Sequence, residues 1–541
     1  MPSPHPPDPA SDDTFDYVIV GAGSAGCVLA ERLSADPGVR VALIEAGPAG
    51  WAPGVTMPRA WVALGGSRHW RYPVEASPTR PGETWVRGRG LGGSSAVNGM
   101  VYCRGQPEDY DDWSRFGVRG WGWSDMEPAF KAIEDRQSDP GPTPDPRRPL
   151  AISTRRLAPE LEGAIQAAAR SSGLQALGTL NGPDRAGIGL YDHTIDRRGV
   201  RSSADRAFLR SARRRRNLSI LAQTQAETLE IVEGRTTGVL VRHGGRRRPL
   251  HARREVIVCA GALESPLLLQ RSGIGPGALL SRLGIAVVQD NPAVGANMGE
   301  HLVLALPYRL NLVAGHNREF RGARLLLNVL RYYTLRQGVL TYGACEMGGF
   351  VRSHPGVDRP DVQLAMSPYS FLPRGAGRPP RPDLEPGFTI IGYMLRPTSR
   401  GHVELASTAM DTPPRIDPNW LGTRADENTA VAMMSRMRAF VHQPGLAAYV
   451  GEALSPTASA TRPDEMLAAF RRHFSCGLHA VGTCRMGSGE GAVVDQRMKV
   501  IGVDGLRVID ASVIPSPLSG NTNGPVMAMA WLAGERMRQG K

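Results

Sequence analysis

The sequence predicts an α/β fold made of two domains, and three observations support this. The apolar run 16–20 leads into three spaced glycines and a small-residue helix, and the next strand, 39–44, ends beside an acid. A strand–helix–strand order of this kind builds a parallel sheet. Residues 301–475 instead mix strand-like runs with one long helix, which indicates a second domain on an antiparallel sheet. At 541 residues, the chain also exceeds what one simple core accommodates.

The first glycines have the spacing of a dinucleotide-binding turn. Gly21 permits the tight turn, Gly23 lets the backbone approach a pyrophosphate, and Gly26 lets the helix pack against the strand. The helix N-terminus then offers amide donors to the phosphates. Glu45 follows at the distance where a carboxylate binds ribose hydroxyls. The segment therefore predicts a Rossmann-like unit, without separating NAD from FAD.

Composition narrows the class of protein. The hydrophobic fraction of 41% and the charged fraction of 21% are typical of a globular chain. The net charge of +13 comes from scattered arginines, the densest run being 213–216, and no nucleic-acid-binding pattern accompanies them. The six cysteines are dispersed, which predicts neither a disulfide framework nor a zinc site. We expect a cytoplasmic protein with no membrane span and no nucleic-acid partner.

The order of the other elements follows from apolar runs and turn residues. Residues 47–82 are rich in Gly, Pro and Trp and predict loops, and 87–99 form a second glycine-rich segment. Helices are expected at 159–173, 426–440 and 525–538, an antiparallel meander at 219–222, 227–232 and 238–242, and further strands at 256–262 and 506–510.

Six segments, in this order, resemble those of the glucose–methanol–choline (GMC) flavoprotein oxidoreductases. The resemblance runs from Asp16 to Arg538. The segments are the first glycine motif with Glu45, residues 87–98, residues 261–276, residues 294–301, residues 479–487 and residues 510–525.

The resemblance implies that the chain binds FAD. It implies non-covalent binding, because Val97 stands where some members carry a linking histidine. The residues that it places against the cofactor are Gly21, Gly23, Ser24, Ala25, Gly26, Glu45, Ala46, Arg87, Gly92, Gly93, Ser94, Asn98, Gly99, Met100, Val101, Ala226, Ala260, Gly261, Asp510, Ala511, Asn521, Thr522 and Asn523.

The resemblance also implies an active site. His479 aligns with the histidine of the family, and an imidazole suits a base because its ordinary pKa of about 6.5 leaves it largely neutral. Asn523 is expected beside it, holding the substrate hydroxyl. Glu346 aligns with an acid that binds the substrate cation in choline-oxidising relatives, but its partner is equally a hydroxyl or an arginine. His301 is expected to be structural.

The function implied is oxidation of a primary alcohol to the aldehyde, the substrate being choline, an aryl alcohol or an aliphatic alcohol. Oxygen and a quinone or dye both stay open as electron acceptor, as does the oligomeric state. The alternative is a non-redox or light-driven member of the family, similar to a hydroxynitrile lyase or a fatty-acid photodecarboxylase. We expect a disordered leader at 1–14, an FAD-binding domain at 15–155, 200–300 and 475–541, and a substrate-binding domain at 156–199 and 301–474.

Overall fold

The computed structural model describes residues 13–50, 53–63, 66–76, 80–137, 145, 147–182, 185–313, 315–372 and 381–540. The expected leader therefore lies almost wholly outside the described residues. Its last residue, Thr14, begins the first strand.

The strands are β1 (Thr14–Val20), β2 (Val41–Ile44), β3 (His69–Val74), β4 (Glu83–Gly88), β5 (Val101–Tyr102), β6 (Glu134–Arg136), β7 (Leu150–Thr154), β8 (Ala176–Leu177), β9 (Gly187–Leu190), β10 (Asp192–His193), β11 (Leu218–Leu221), β12 (Thr224–Val232), β13 (Arg235–His243), β14 (Arg246–Val258), β15 (Ile274–Gly275), β16 (Gln289–Asp290), β17 (Leu302–Leu310), β18 (Met347–Val351), β19 (Val362–Ser367), β20 (Phe371–Leu372), β21 (Arg381–Pro382), β22 (Gly387–Met394), β23 (His402–Glu404), β24 (Arg415–Asp417), β25 (Val450–Ala453), β26 (Ser475–Cys476) and β27 (Leu506–Val508).

The α-helices are α1 (Ser24–Leu33), α2 (Pro53–Thr56), α3 (Pro107–Asp111), α4 (Trp123–Ile133), α5 (Pro159–Ser171), α6 (Arg210–Ala212), α7 (Gly261–Arg271), α8 (Gly277–Arg282), α9 (Gly322–Leu335), α10 (Arg424–Val441), α11 (Pro444–Ala447), α12 (Pro463–His473) and α13 (Asn523–Arg538). Short 3₁₀ turns include Pro58–Ala63, Gly93–Ala96, Val339–Thr341 and Ala511–Val513.

A seven-stranded sheet carries the first glycine motif. Its order is β11-β2-β1-β14-β13-β12, with β27 also paired to β14. The strands β11, β2, β1, β14 and β27 run parallel, and β2 and β27 are buried along their whole length. This is the Rossmann-like sheet predicted from the glycine motif and its flanking strands.

The second sheet has six strands in the order β18-β19-β22-β17-β25, with β26 paired to β17. All of its pairings are antiparallel. Helices α5 and α10 pack against it, and the methionines of α10 fill the space between helix and sheet. The mixed α/β class and the antiparallel second sheet predicted from the sequence are thus confirmed.

Two features differ from expectation. The strand expected at 219–222 does not join the meander but runs parallel to β2, because its apolar side chains complete the buried sheet there. The meander consists instead of β12, β13 and β14. Residues 47–82 are not only loop, since β3 pairs with β4 and buries Tyr72 and Trp85 in a small core.

The apolar cores suggest where the domains divide. One large cluster draws on residues 15–152, 204–294 and 481–537, and the other on 157–188 and 302–474. We propose the domain boundaries expected from the sequence on this basis.

Candidate active site

The three glycines of the first motif serve different physical needs. Gly21 has φ +101°, and a Cβ there would lie 2.6 Å from the carbonyl oxygen of Cys259. A Cβ on Gly26 would lie 1.9 Å from the carbonyl oxygen of Gly21. A Cβ on Gly23 would lie 4.0 Å from its nearest neighbour, the carbonyl oxygen of Cys259, so protein packing does not require a glycine there. The open side of Gly23, at the N-terminus of α1, fits a pyrophosphate.

The two glycine-rich segments lie against each other. The amide of Gly92 donates to the carbonyl of Ala22 at 2.8 Å. A Cβ on Gly93 would lie 2.7 Å from the Cα of Gly23, so the second segment reaches the pyrophosphate turn directly. Only backbones without side chains approach this closely.

Glu45 is buried at the end of β2. Its carboxylate accepts from the amides of Ala22 at 3.0 Å, Gly47 at 2.8 Å and Gly90 at 2.9 Å. Burial raises the pKa of Glu45, and these three bonds oppose that rise. A carboxylate has about four acceptor positions, so one is left for a ribose hydroxyl.

Asp510 ties the end of the chain to the start of α7. Its carboxylate accepts from the amide of Gly261 at 2.8 Å, from Ser265 Oγ at 2.5 Å and from the amide of Ser512 at 2.8 Å. The side chain thus holds the expected cofactor residues Ala260, Gly261 and Ala511 in one place. A Cβ on Gly261 would meet no protein atom within 4 Å, which leaves this turn open to a ligand.

Asn98 is held by an arginine that the sequence analysis missed. Asn98 Oδ1 accepts from the amide of Met100 at 3.1 Å and from Arg201 Nη1 at 2.8 Å. Arg201 is buried and also donates to the carbonyls of Ser95 and Val55. Burial lowers the pKa of Arg201 to about 9. A buried cation bound to carbonyl oxygens fixes this loop in one conformation.

The other expected cofactor residues lie at the ends of the same elements. Ser24 and Ala25 open α1, Ala46 follows β2, Arg87 is in β4, Ser94 is in the turn Gly93–Ala96, Gly99 and Val101 lead into β5, Ala226 is in β12, and Thr522 precedes α13.

His479 lies against Asn521. The nitrogen Nδ2 of Asn521 is 3.0 Å from His479 Nε2. The oxygen Oδ1 of Asn521 accepts a hydrogen bond from Gln363 Nε2 at 3.2 Å. Gln363 Nε2 also donates to the hydroxyl of Tyr191, which itself donates to the carbonyl of Leu364. This chain of donors and acceptors orients the Asn521 amide, so Nε2 of neutral His479 is the acceptor.

The other face of the imidazole meets a second histidine. His301 Nδ1 lies 3.0 Å from His479 Nδ1, with the two rings nearly perpendicular. Because Nε2 of His479 accepts, its ring proton is on Nδ1 and is donated to His301. Burial lowers the pKa of His301 to about 4, although the carbonyls of Leu395 and Leu518 favour the charged ring. His301 therefore contacts the site residue itself, which its expected structural role did not include.

The surroundings hold His479 neutral. Burial, with smaller contributions from His301 and Arg87, lowers the pKa of His479 well below its ordinary value. Glu300 Oε1 accepts from the amides of both His301 at 2.8 Å and His479 at 2.7 Å. Leu478, immediately before His479, has φ +61°, a costly conformation for a leucine that such contacts maintain.

Asn523 does not lie where the sequence analysis expected it. Its Oδ1 accepts from Ser24 Oγ at 2.7 Å, at the start of α1. Asn523 is the first residue of α13, whereas Asn521 lies two residues before it, outside the helix, and the two side chains reach different parts of the site. The hydrogen-bond partner of His479 is Asn521, and Asn523 belongs to the glycine-rich region.

Glu346 is fully buried and paired with Arg59. The distance from Arg59 Nη2 to Glu346 Oε1 is 2.9 Å, and His316 Nδ1 lies 3.4 Å from the same Nη2. Burial raises the pKa of Glu346, and Arg59 opposes this rise. Of the three partners considered for this acid, the structure supplies the arginine.

Comparison with known proteins identifies the family. Models described as GMC oxidoreductase match residues 15–303 and 397–530. The chain is 36% identical over 537 residues to an alcohol dehydrogenase [acceptor] of Pseudomonas putida, covering 96% of this chain and 95% of the relative. The chain belongs to the GMC oxidoreductase family.

Two further similarities extend along the whole GMC chain. It is 35% identical over 544 residues to an oxygen-dependent choline dehydrogenase of Burkholderia thailandensis, covering 97% and 94% of the two chains. The crystal structure of pyridoxine 4-oxidase from Mesorbium loti has a TM-score of 0.86 at 30% identity, covering 97% of this chain and 99% of that one. This GMC protein is accordingly an FAD oxidoreductase.

Neither a membrane-crossing helix nor a metal cluster is found in the described part of this GMC protein. The sequence did not indicate Gln363, and it did not predict that His301 contacts His479, since these residues lie 116 and 178 residues before His479 in the chain. Only the pairing of β17 with β26, and of the adjacent strands, brings them together. The sequence signal for His301 was its place beside Glu300 in a matched segment.

Proposed function

We propose that this GMC oxidoreductase oxidises a primary alcohol to the aldehyde at the pair His479 and Asn521. The observation that carries the proposal is an acceptor and a donor 3.0 Å apart, His479 Nε2 and Asn521 Nδ2. An alcohol hydroxyl that replaces this hydrogen bond donates its proton to the first and accepts a hydrogen bond from the second.

His479 acts as the base in this proposal. Its Nε2 takes the hydroxyl proton, and the Asn521 amide stabilises the negative charge that develops on the alcohol oxygen. FAD, when bound, would supply the acceptor for the hydride of the same carbon. Loss of the proton from the oxygen and of the hydride from the carbon converts the alcohol to the aldehyde.

His301 positions the base. Its Nδ1 accepts the Nδ1 proton of His479 and so keeps the lone pair on Nε2 directed to Asn521. Asn521 cannot accept the substrate proton, and the acid–base work therefore rests on His479.

We propose a neutral aryl or aliphatic alcohol as substrate, in preference to choline. The ring of Tyr393 stacks on His479 with centroids 6.0 Å apart, and Leu478 is exposed beside it. These side chains favour an apolar substrate. Glu346, the carboxylate expected to attract a cation, is neutralised by Arg59.

We propose that the FAD is bound without a covalent link, since Val97 offers no nucleophile to the flavin. Acid precipitation of the holoenzyme should leave a colourless pellet and yellow supernatant. Flavin that stays with the precipitated polypeptide would refute this part of the proposal.

An anaerobic screen tests the proposed reaction. Holoenzyme is mixed with benzyl alcohol, 1-octanol and choline, and bleaching of the flavin absorbance is followed in the wild type and in His479→Gln. We expect bleaching by the first two alcohols in the wild type alone, and admission of air then shows whether hydrogen peroxide forms. No bleaching by any alcohol, combined with light-dependent release of CO2 from a fatty acid, would favour the light-driven alternative.

A further inference from the structure

Helix α9 (Gly322–Leu335) presents apolar side chains to the outside of the molecule. Leu326, Leu330 and Tyr333 are 72%, 60% and 43% exposed, and their spacing of four and three residues puts them on one face of the helix. Leu327 adjoins this face and is 64% exposed. A contiguous apolar surface on a soluble domain marks an interaction site.

The opposite face of α9 fixes the orientation of the helix. Tyr332 is fully buried, packs with Met57 and Leu340, and donates its hydroxyl to the carbonyl of Thr56 at 3.0 Å. Asn328 on the same side donates to Glu319 at 2.9 Å. The exposed leucines are therefore held outward by a satisfied inner face, and rotating the helix to bury them would break those contacts.

Arginines lie along one side of the apolar face and before its first turn. Residues 317–337 contain five arginines and one glutamate. Arg324 and Arg331, seven residues apart, follow one edge of the helix. Arg324 pairs with Glu319 and Arg318 with Glu385, both near the surface, whereas Arg331 donates to Gln337. Beside the first turn, Arg318, Arg321 and Arg324 line a shallow surface pocket of about 350 Å³ together with Leu384 and Glu385. Leu384 is itself 54% exposed.

We propose that α9 docks this protein on the surface of an anionic lipid bilayer. The leucines and Tyr333 enter the boundary between headgroups and acyl chains, and the arginines contact lipid phosphates, the three-arginine pocket accepting one of them. The helix lies flat in this boundary, since its 14 residues span about 21 Å, less than the hydrocarbon core of about 30 Å.

Charge favours this occupant over a second copy of the chain. In a symmetric dimer the same patch faces itself, so the arginines of both copies would meet and repel. A protruding helix face also suits a planar surface better than a protein groove. The inference is independent of the alcohol and of the reaction at His479.

Vesicle sedimentation of the holoenzyme tests the proposal. We expect the wild type to sediment with vesicles of phosphatidylcholine and phosphatidylglycerol, but not with phosphatidylcholine alone. The triple variant Leu326→Ser/Leu330→Ser/Tyr333→Ser should bind at least about tenfold less, because it loses the apolar contribution. The matched control is Val232→Ser/Val287→Ser/Ile501→Ser, which changes exposed apolar residues elsewhere and should bind like the wild type.

A second pair of variants separates the site from the general positive charge of the chain. Arg324→Gln/Arg331→Gln should weaken binding about 25-fold, since each arginine near an anionic surface contributes about fivefold. Arg214→Gln/Arg216→Gln, in the densest arginine run, removes the same charge outside α9 and should change binding by less than about twofold. Flavin absorbance and turnover in buffer report folding in every variant.

Five results would overturn the proposal. The first three are absence of sedimentation with anionic vesicles, unchanged binding in both helix variants, and equal losses in the control variants. The fourth is a dimer that the triple serine variant dissociates while no variant binds lipid. That result would instead assign the face to a second copy. Capture of an acidic peptide without vesicle binding would likewise contradict it.

Discussion

Two buried polar clusters in this protein are built on opposite principles. The side chains that hydrogen-bond the His479 imidazole are uncharged, and a series of hydrogen bonds orients them, from Gln363 through Asn521 to His301. At Glu346 two opposite charges neutralise each other, with Arg59 at 2.9 Å. The first arrangement leaves a donor and an acceptor that a substrate hydroxyl can take over. In the second cluster the two charges already neutralise each other. We therefore expect the first cluster to act in catalysis and the second to stabilise the fold.

The largest expected effect is the loss of turnover when His479, but not another histidine, is replaced. His479→Ala should lower turnover by about 10³-fold, because general-base catalysis typically contributes 10²–10⁴-fold. The flavin absorbance should be retained. His473→Ala is the matched control, since that residue is exposed at the end of α12, and its steady-state kinetics should equal those of the wild type. Equal kinetics for both variants would remove His479 from the mechanism.

Breaking the ion pair between Arg59 and Glu346 should lower the stability of the fold and leave turnover nearly unchanged. Glu346→Gln leaves the Arg59 cation buried without its partner, which costs about 3–5 kcal/mol in the free energy of unfolding. Calorimetry of the holoenzyme measures the lowered midpoint, and turnover per bound flavin should change by less than about tenfold.

The matched control for this prediction is Glu385→Gln, which breaks the exposed pair with Arg318 and should cost less than about 1 kcal/mol. The double variant Arg59→Met/Glu346→Leu removes both charges and should regain most of the stability. A raised KM for choline with unchanged stability in Glu346→Gln would show that this carboxylate binds substrate after all.

The two asparagines two residues apart give a sharper test within the first cluster. Asn521→Ala removes the donor beside His479 Nε2 and should lower the rate of flavin reduction about tenfold to hundredfold. Asn523→Ala removes the partner of Ser24 and should change that rate by less than about threefold, while weakening retention of FAD. Stopped-flow measurement of flavin reduction by benzyl alcohol gives the rate for each variant. A larger loss of rate in Asn523→Ala than in Asn521→Ala would support Asn523 as the partner of His479, as the sequence predicted.

The sequence was sufficient for the fold where local pattern decides the structure. The strand before Gly21, the glycine spacing and the acid at position 45 predict the parallel sheet, because each is a local requirement of the turn. Position 346 was singled out as well, but its partner Arg59 lies 287 residues away in a region expected to be loop. Charge alone does not reveal which of many arginines in a chain reaches a given carboxylate.

The arrangement around His479 was harder to predict for a related reason. Asn521 and Asn523 have the same side chain, and only the start of α13 at Asn523 separates their directions. A helix boundary is difficult to place to one residue from sequence. Arg201 and His301 are functional neighbours through tertiary packing, and neither has a sequence pattern that predicts its contacts.

The pH dependence of flavin reduction tests the central claim most directly, that His479 is held neutral to accept the alcohol proton. Because the pKa of His479 is lowered well below its ordinary value, the anaerobic reduction rate should stay constant as pH falls through about 6.5 and decline only at lower pH. Protonation then removes the acceptor, and His479→Gln should show a slow rate without this decline. A wild-type inflection at or above pH 6.5, or the same profile in His479→Gln, would contradict the account.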